Sequence, residues 1–378
     1  MAFRAFYALP VDNFTTSTGQ STNAVHGFVS MFLSLLDNER PTHVAVAFDL
    51  PGGTFRTEEY AEYKGTRDET PQPFLGQVEL IQEVLEAMGV KTLTAPGYEA
   101  DDILATLAVS AQAEGMEVLI CSGDRDSFQT VTEQCTVLYP VKGVSTLRRM
   151  TPHEVEERYG VTPERYPHLA ALVGETSDNL PGVPGVGPKT AAKLLQEYDT
   201  LEGIYAAAKA GTLKPDGTRQ KLLDSEEAVK FSHELSCMVT DLDLDVELGA
   251  PRLPGDPAKL DELLTELELH SVKRDVLALN GAGAAQGGEI PDAVLDATKA
   301  ATPQPAQEIP APQVQPWNTP GEGVIWGYVL SREDDLTAAL TAAATLEGAT
   351  DSAPGVARVA PTTTPDERHV PQAEAPAS

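Results

Sequence analysis

Val118-Leu119-Ile120-Cys121 is an unbroken apolar run that stops at Ser122-Gly123-Asp124-Arg125-Asp126. A run of this kind suits a strand covered on both faces, as the strands of parallel sheets are. A second one, His43-Val44-Ala45-Val46-Ala47-Phe48, ends at Asp49 in the same way. Between them an amphipathic helix over Phe74 to Met88 leads to a short strand over Val90 to Leu93, and helix and strand alternate as far as Tyr139. That alternation predicts an α/β domain over residues 1–150, with a mainly parallel central sheet and flanking helices. Sites in such folds lie at the carboxyl ends of the strands.

Acids gather where those ends fall. Glu99 and Asp102 are three apart at the start of the apolar helix Ile103 to Ala111, with Asp101 between them, and Asp124 and Asp126 are two apart beyond their strand. Gly174-Glu175-Thr176-Ser177-Asp178-Asn179 adds two more between a helix and a proline-glycine turn. One patch alone reads as helix-dipole complement or turn decoration. Together Asp49, Glu99, Asp101, Asp102, Asp124, Asp126, Glu175 and Asp178 read as one pocket of like charges, which requires positive charge among them. Carboxylate oxygens are hard ligands, suited to Mg²⁺ or Mn²⁺ rather than zinc.

Two further stretches carry positive charge. Pro51 to Pro73 is polar and holds Arg56, Tyr60, Lys64 and Arg67 at spacings of four, four and three, which predicts one helix face suited to a phosphate backbone and stacked bases. A solvated helix ringed by Glu58, Glu59 and Glu62 fits the same spacing. Leu180 to Lys193 is more specific: Gly182, Gly185 and Gly187 permit a tight hairpin, and Pro188 suits the first turn of a helix. Backbone amides there, with Lys189, Thr190 and Lys193 following, predict a grip on DNA backbone without sequence preference.

The net charge of −30 argues against nucleic acid when taken alone, but seven basic residues concentrate between Lys189 and Lys230. Three scattered cysteines form no metal or disulfide pattern and fit a reducing cytoplasm. No signal peptide opens the chain, and no stretch approaches the ~18 apolar residues of a membrane span, so no membrane partner is expected.

The motifs Tyr98 to Asp102, Asp124-Arg125-Asp126, Gly174 to Asn179 and Gly182 to Lys193, in this order, resemble the 5′ nuclease domain of bacterial DNA polymerase I, within the flap endonuclease superfamily. The resemblance runs to about Asn280. It implies a PIN-like nuclease sheet followed by a helical DNA-binding region of helix-hairpin-helix type over 151–280. It also implies a helical arch over about 50–73 with Arg56, Tyr60, Lys64 and Arg67 as catalytic residues, and two Mg²⁺ or Mn²⁺ ions held by the eight acids. K⁺ at the glycine hairpin is a further implication. The implied partner is a 5′-flap, nicked or branched DNA duplex, with a polymerase region able to act in trans and no oligomer indicated.

Two departures stand out. Glu175 occupies a position where the family usually has aspartate. The family also begins with a strand ending in a metal-site aspartate, just upstream of the residues matching Ala2-Phe3-Arg4, so the expectation here is a sheet with an open central position and a weakened site. A structure-binding protein that does not cut, or a metal-dependent ribonuclease, are the competing readings. Residues 281–322 read as a Pro/Ala/Gly-rich linker, 323–348 as a fragment resembling the 3′-5′ exonuclease-like domain that follows in polymerase I, and 349–378 as a disordered tail.

Overall fold

The computed structural model describes residues 1–67, 69–142, 146–246, 248, 255–283 and 328–332. They belong to one compact unit, Met1–Glu333; a second unit, Asp334–Ser378, lies outside the described residues, as do the expected tail and nearly all of the expected linker. The helices are α1 (Ala2–Ala8), α2 (Asn23–Glu39), α3 (Phe55–Glu59), α4 (Gln77–Ala87), α5 (Ala100–Ala113), α6 (Pro152–Tyr159), α7 (Tyr166–Val173), α8 (Pro188–Tyr198), α9 (Leu201–Lys209), α10 (Asp216–Asp224), α11 (Glu226–Ser236), α12 (Pro257–Glu266) and α13 (His270–Gly283). The strands are β1 (His43–Ala47), β2 (Lys91–Leu93), β3 (Glu117–Cys121), β4 (Cys135–Lys142), β5 (Thr146–Met150) and β6 (Tyr328–Arg332), in the sheet order β2-β1-β6-β3-β4-β5.

Strands β1 to β4 run parallel to one another, as the continuous apolar runs predict, and β5 and β6 run against them. Alternation along each strand then divides the core in two. Val118 and Ile120 face one apolar layer with Leu104 and Leu107 of α5 and Leu172 of α7, while Leu119 and Cys121 face a second layer with Phe28, Phe32 and Leu85. Helices α12 and α13 close that second layer through Leu260, Leu264 and Val276. The end of the expected DNA-binding region thus returns to the sheet rather than extending the helices around the hairpin.

The expectation of an open central position is corrected by β6. It pairs with β1 from His43↔Ser331 to Val46↔Tyr328 and with β3 from Glu117↔Arg332 to Ile120↔Val329, both antiparallel. Segment 328–332 was expected within a separate fragment at 323–348. Both of its backbone edges are instead used by the nuclease-like sheet, so neither β1 nor β3 presents the unpaired inner edge that was expected.

Candidate metal centre and nucleic-acid interface

The acids are positioned by backbone geometry before any of them meets another. Phe48 donates its N–H to Leu93 O at 2.8 Å, extending β1 to Asp49, whose Oδ1 accepts the Ala100 N–H at 2.6 Å. That bond ties the end of β1 to the start of α5, where Glu99 is the N-cap and forms a capping box with Asp102. Beyond β3, the Asp124 N–H donates to Ser122 Oγ at 3.1 Å, Asp124 Oδ1 accepts the Asp126 N–H at 2.9 Å and Asp124 O accepts Ser127 Oγ–H at 2.6 Å. The turn therefore holds both carboxyl groups in one place. Glu175 and Asp178 are set by a tight loop in which Glu175 and Leu180 exchange both backbone bonds at 2.9 Å, with Asn179 in the left-handed region at φ 58°.

One oxygen from each of Asp124, Asp126 and Glu175 lies within 4.8 Å of the others. Burial pushes Asp101, Asp124 and Asp126 above the usual carboxylate range, and neighbouring carboxylates push further: Asp124 and Asp49 on Asp101, Asp178 on Asp124, Glu175 and Asp124 on Asp126. Glu175 rises to about 8 by burial and then by the charges of Asp124 and Asp178. Asp178 goes the other way: burial raises it, but Lys64 and Arg67 outweigh burial and hold it low. The buried oxygens Asp101 Oδ1 and Glu175 Oε2 have no hydrogen-bond partner. Buried polar atoms are normally satisfied, so two orphan carboxylate oxygens among mutually repelling acids fit a divalent cation. Asp124, Asp126 and Glu175, whose oxygens lie within 4.8 Å of one another, could hold it.

Three of the expected arch residues reach this patch, Arg56 with its Nη1 3.6 Å from Glu99 Oε2. Lys64 Nζ lies 2.7 Å from Glu99 Oε1, and Arg67 Nη2 lies 2.7 Å from Asp178 Oδ1. The segment is docked by Lys64 N–H donating to Asp178 O at 3.1 Å and Asn179 Nδ2 donating to Glu62 O at 2.9 Å. Spacing gave no sign of Tyr63, which sits between the acids: its hydroxyl donates toward Asp178 Oδ2 at 3.1 Å and lies 3.3 Å from Glu99 Oε2. Burial, then the charge of Glu99, raises this phenol well above its ordinary range.

The expected shared helix face is a correction. Helix α3 ends at Glu59 and Tyr60 is extended, φ −135° and ψ 95°, so 56, 60, 64 and 67 share no helix face. Arg56 turns inward, donating from Nη1 and Nη2 to the two oxygens of Asp102 at 2.7 and 2.8 Å, from Nε to Leu235 O at 2.8 Å and from Nη2 to Cys237 O at 2.9 Å. Asp102 also accepts the Glu99 and Val239 N–H groups at 3.0 and 2.9 Å, so this carboxylate is a structural anchor with its oxygens already engaged. Tyr60 packs edge-on against Phe231, ring centroids 5.5 Å apart, outside the acidic patch.

The hairpin glycines differ in role. A Cβ on Gly182 would lie 2.3 Å from Val173 O, and one on Gly174, φ 82°, would lie 2.4 Å from Gly182 N; these two backbones cross in contact. Gly182 is thus explained by packing. Gly185 requires its positive φ of 79°, and Gly187, the N-cap of α8, has open space where a side chain would go. Lys189, Thr190 and Lys193 are exposed on α8, and no acid stands in its first turn, so its positive end faces solvent beside two lysines.

This arrangement has relatives. Residues 1–160 match the 5′-3′ exonuclease N-terminal resolvase-like domain, residues 161–257 the 5′-3′ exonuclease C-terminal SAM fold, and residues 312–376 the family described as Taq polymerase, exonuclease. The chain is 51% identical over 381 residues to DNA polymerase I of Deinococcus radiodurans, covering 100% of this chain and 38% of that protein. It is 44% identical over 354 residues to DNA polymerase I of Mycobacterium tuberculosis, covering 92% of this chain and again 38% of the relative. The chain therefore spans well under half the length of these relatives. In fold it resembles the bacteriophage T5 flap endonuclease solved as a pseudo-enzyme-product complex with DNA and metal ions, at a TM-score of 0.50 and 21% identity over 70% of this chain and 94% of that one. With contiguous matches from the sheet through the glycine hairpin, the chain belongs to the 5′-3′ exonuclease family.

Proposed function

We propose that this chain is the N-terminal part of a DNA polymerase I and hydrolyses DNA phosphodiesters near 5′ ends, as a divalent-metal-dependent 5′-3′ exonuclease and flap endonuclease of replication and repair. The observation that carries this reading is the set of mutually repelling acids Asp101, which is buried, and Asp124, Asp126 and Glu175, which are half-buried, two of the four with an unpartnered oxygen. Two Mg²⁺ or Mn²⁺ ions held there would supply an activated water and stabilise the leaving 3′ oxygen.

The chain's own residues do the rest. Asp124, Asp126 and Glu175 fix one end of the cluster, Asp49 and Asp101 the other, and Asp102 keeps α5 in place through Arg56. Lys64 and Arg67, poised on Glu99 and Asp178, offer positive charge to a phosphate entering beside the acids. The exposed lysines of α8 grip duplex backbone at the hairpin, where K⁺ could add to the backbone amides. A 5′-flap, nicked or branched duplex suits a site with both features. The T5 structure of the same fold is a flap endonuclease with DNA and metal ions, which supports the reading. Three free cysteines, two of them buried, suit a reducing cytoplasm.

The test is cleavage of a 5′-flap DNA by the full chain with Mg²⁺ or with EDTA, beside the same flap made of RNA. Asp124→Ala or Asp126→Ala is expected to abolish Mg²⁺-dependent cutting while flap binding holds or tightens, because a repelling charge is lost. Unchanged cutting sinks the metal assignment. Tight flap binding by the unaltered chain without cutting favours a structure-binding protein, and preference for the RNA flap favours a ribonuclease.

A further inference from the structure

Among the described residues, five large hydrophobic side chains are exposed, and two of them, Leu50 at 40% and Leu75 at 51%, line one cavity of about 430 Å³. The same cavity takes in Asp49 and Glu99 of the acidic patch and both Lys64 and Arg67. Leu50 follows Asp49 directly. Leu75 is presented by Phe74, which is buried and stacked on Phe3 with ring centroids 4.1 Å apart, and by Gly76, whose φ of 79° turns the chain into α4. A rigid base holding an exposed leucine toward a charged site is an unusual use of surface. Leucine in water gains nothing there unless something apolar covers it.

The lining mixes the acids Asp49, Glu79 and Glu99 with Lys64 and Arg67, so an occupant that carries phosphate can draw the two cations from Glu99 and Asp178, and a flat apolar face on it can cover Leu50 and Leu75. A nucleotide has both parts, and the cavity falls within the ~300–1,000 Å³ span of small-molecule sites. Resting on the nuclease reading above, we propose that Leu50 and Leu75 form a base-packing pocket for the unpaired nucleotide next to the cleaved phosphodiester, making them specificity-determining residues for single-stranded character at that position. Contact with a base face needs no hydrogen-bond readout, so the pocket accepts all four bases. A base still paired in the duplex cannot enter it.

The experiment compares the full chain with Leu50→Ala/Leu75→Ala on 5′-flap duplexes whose first unpaired nucleotide is either intact or abasic. Both leucines are exposed, so the double variant is expected to fold with an unchanged melting temperature. Single-turnover cleavage by the unaltered chain should fall by about tenfold on the abasic flap, the scale of removing a few apolar groups from a pocket. In the variant that abasic penalty should shrink to near unity. A second readout places 2-aminopurine at the same nucleotide and follows its fluorescence in the metal-free complex, where the unaltered chain should shift it and the variant should not. An equal abasic penalty in both proteins, or an equal fluorescence shift in both, overturns the proposal. Absence of cutting by the unaltered chain would overturn the nuclease reading instead, and the fluorescence comparison would still decide for or against the pocket.

Discussion

Arg56 is 3% exposed and Asp102 is fully buried, and the guanidinium spends four hydrogen bonds on that carboxylate and on the carbonyls of Leu235 and Cys237. One side chain thereby ties α3, the N-terminus of α5 and the end of α11 together. Removing one member of such a pair strands the other charge in the interior, at a cost of about 3–5 kcal/mol. Arg56→Ala is therefore expected to lower stability by that amount in denaturant unfolding. Arg56→Ala/Asp102→Ala should cost much less than the sum of the two single changes. Additive losses would show that the pair is not coupled. The sequence made both residues conspicuous but could not assign them. Glu99 and Asp102 belong to one capping box, and nothing in their spacing says that Asp102 turns to an arginine while Asp101, its neighbour, turns to the acids. Tyr63 was hidden for the complementary reason: it lies off the counted periodicity, which broke where α3 ended.

At the scale of elements, the hairpin between α7 and α8 separates two uses of glycine that look identical in sequence. Gly182→Ala should destabilise the protein, because its Cβ would lie 2.3 Å from Val173 O and backbone on both sides must move. Gly187→Ala meets open space at an ordinary φ of −94° and should leave stability within about 0.5 kcal/mol. Thermal unfolding of the two variants distinguishes them, and equal losses would contradict the packing argument. Lys189→Ala/Lys193→Ala should leave stability unchanged, weaken binding to all duplex sequences alike and lower the salt slope by roughly 2 units. A loss confined to particular sequences would mean base readout instead. Strand β6 shows the limit of local patterns from another side. A strand's composition says only that it needs neighbours. Which edges it joins, and that it enters antiparallel, is decided by the ladders available on β1 and β3.

At the scale of the whole molecule, a sheet with apolar layers on both faces concentrates its unmatched charge at one end, and that sets how stability must vary with pH. Glu175 has an ordinary value of 4.5 and rises to about 8 in the fold through burial and then Asp124 and Asp178. Between those values the folded state holds a proton that the unfolded chain has released, so metal-free stability falls as pH rises from about 4.5 to about 8, and Asp101, Asp124 and Asp126 shift the same way. On the acid side stand His168 of α7 and His233 of α11, stacked with ring centroids 4.4 Å apart and planes within 6°. Burial lowers both below 6.5, with Glu202 opposing the shift at each ring, Glu234 also opposing it at His233, and Arg165 and the facing His233 adding to it at His168. The unfolded chain therefore takes up protons below pH 6.5 that the folded one refuses, and stability falls as pH drops past that point. Mg²⁺ held by the folded cluster alone would, at a hundred times its dissociation constant, add about 2.7 kcal/mol. Because protons compete for the same carboxylates, that gain should be large at pH 8.5 and small at pH 5.5. His168→Gln should flatten the acid limb without touching the response to Mg²⁺. Melting temperatures measured across pH in EDTA and in Mg²⁺ decide the matter: a metal-induced rise of equal size at pH 5.5 and pH 8.5 would mean that the stabilising ion binds somewhere other than among these acids.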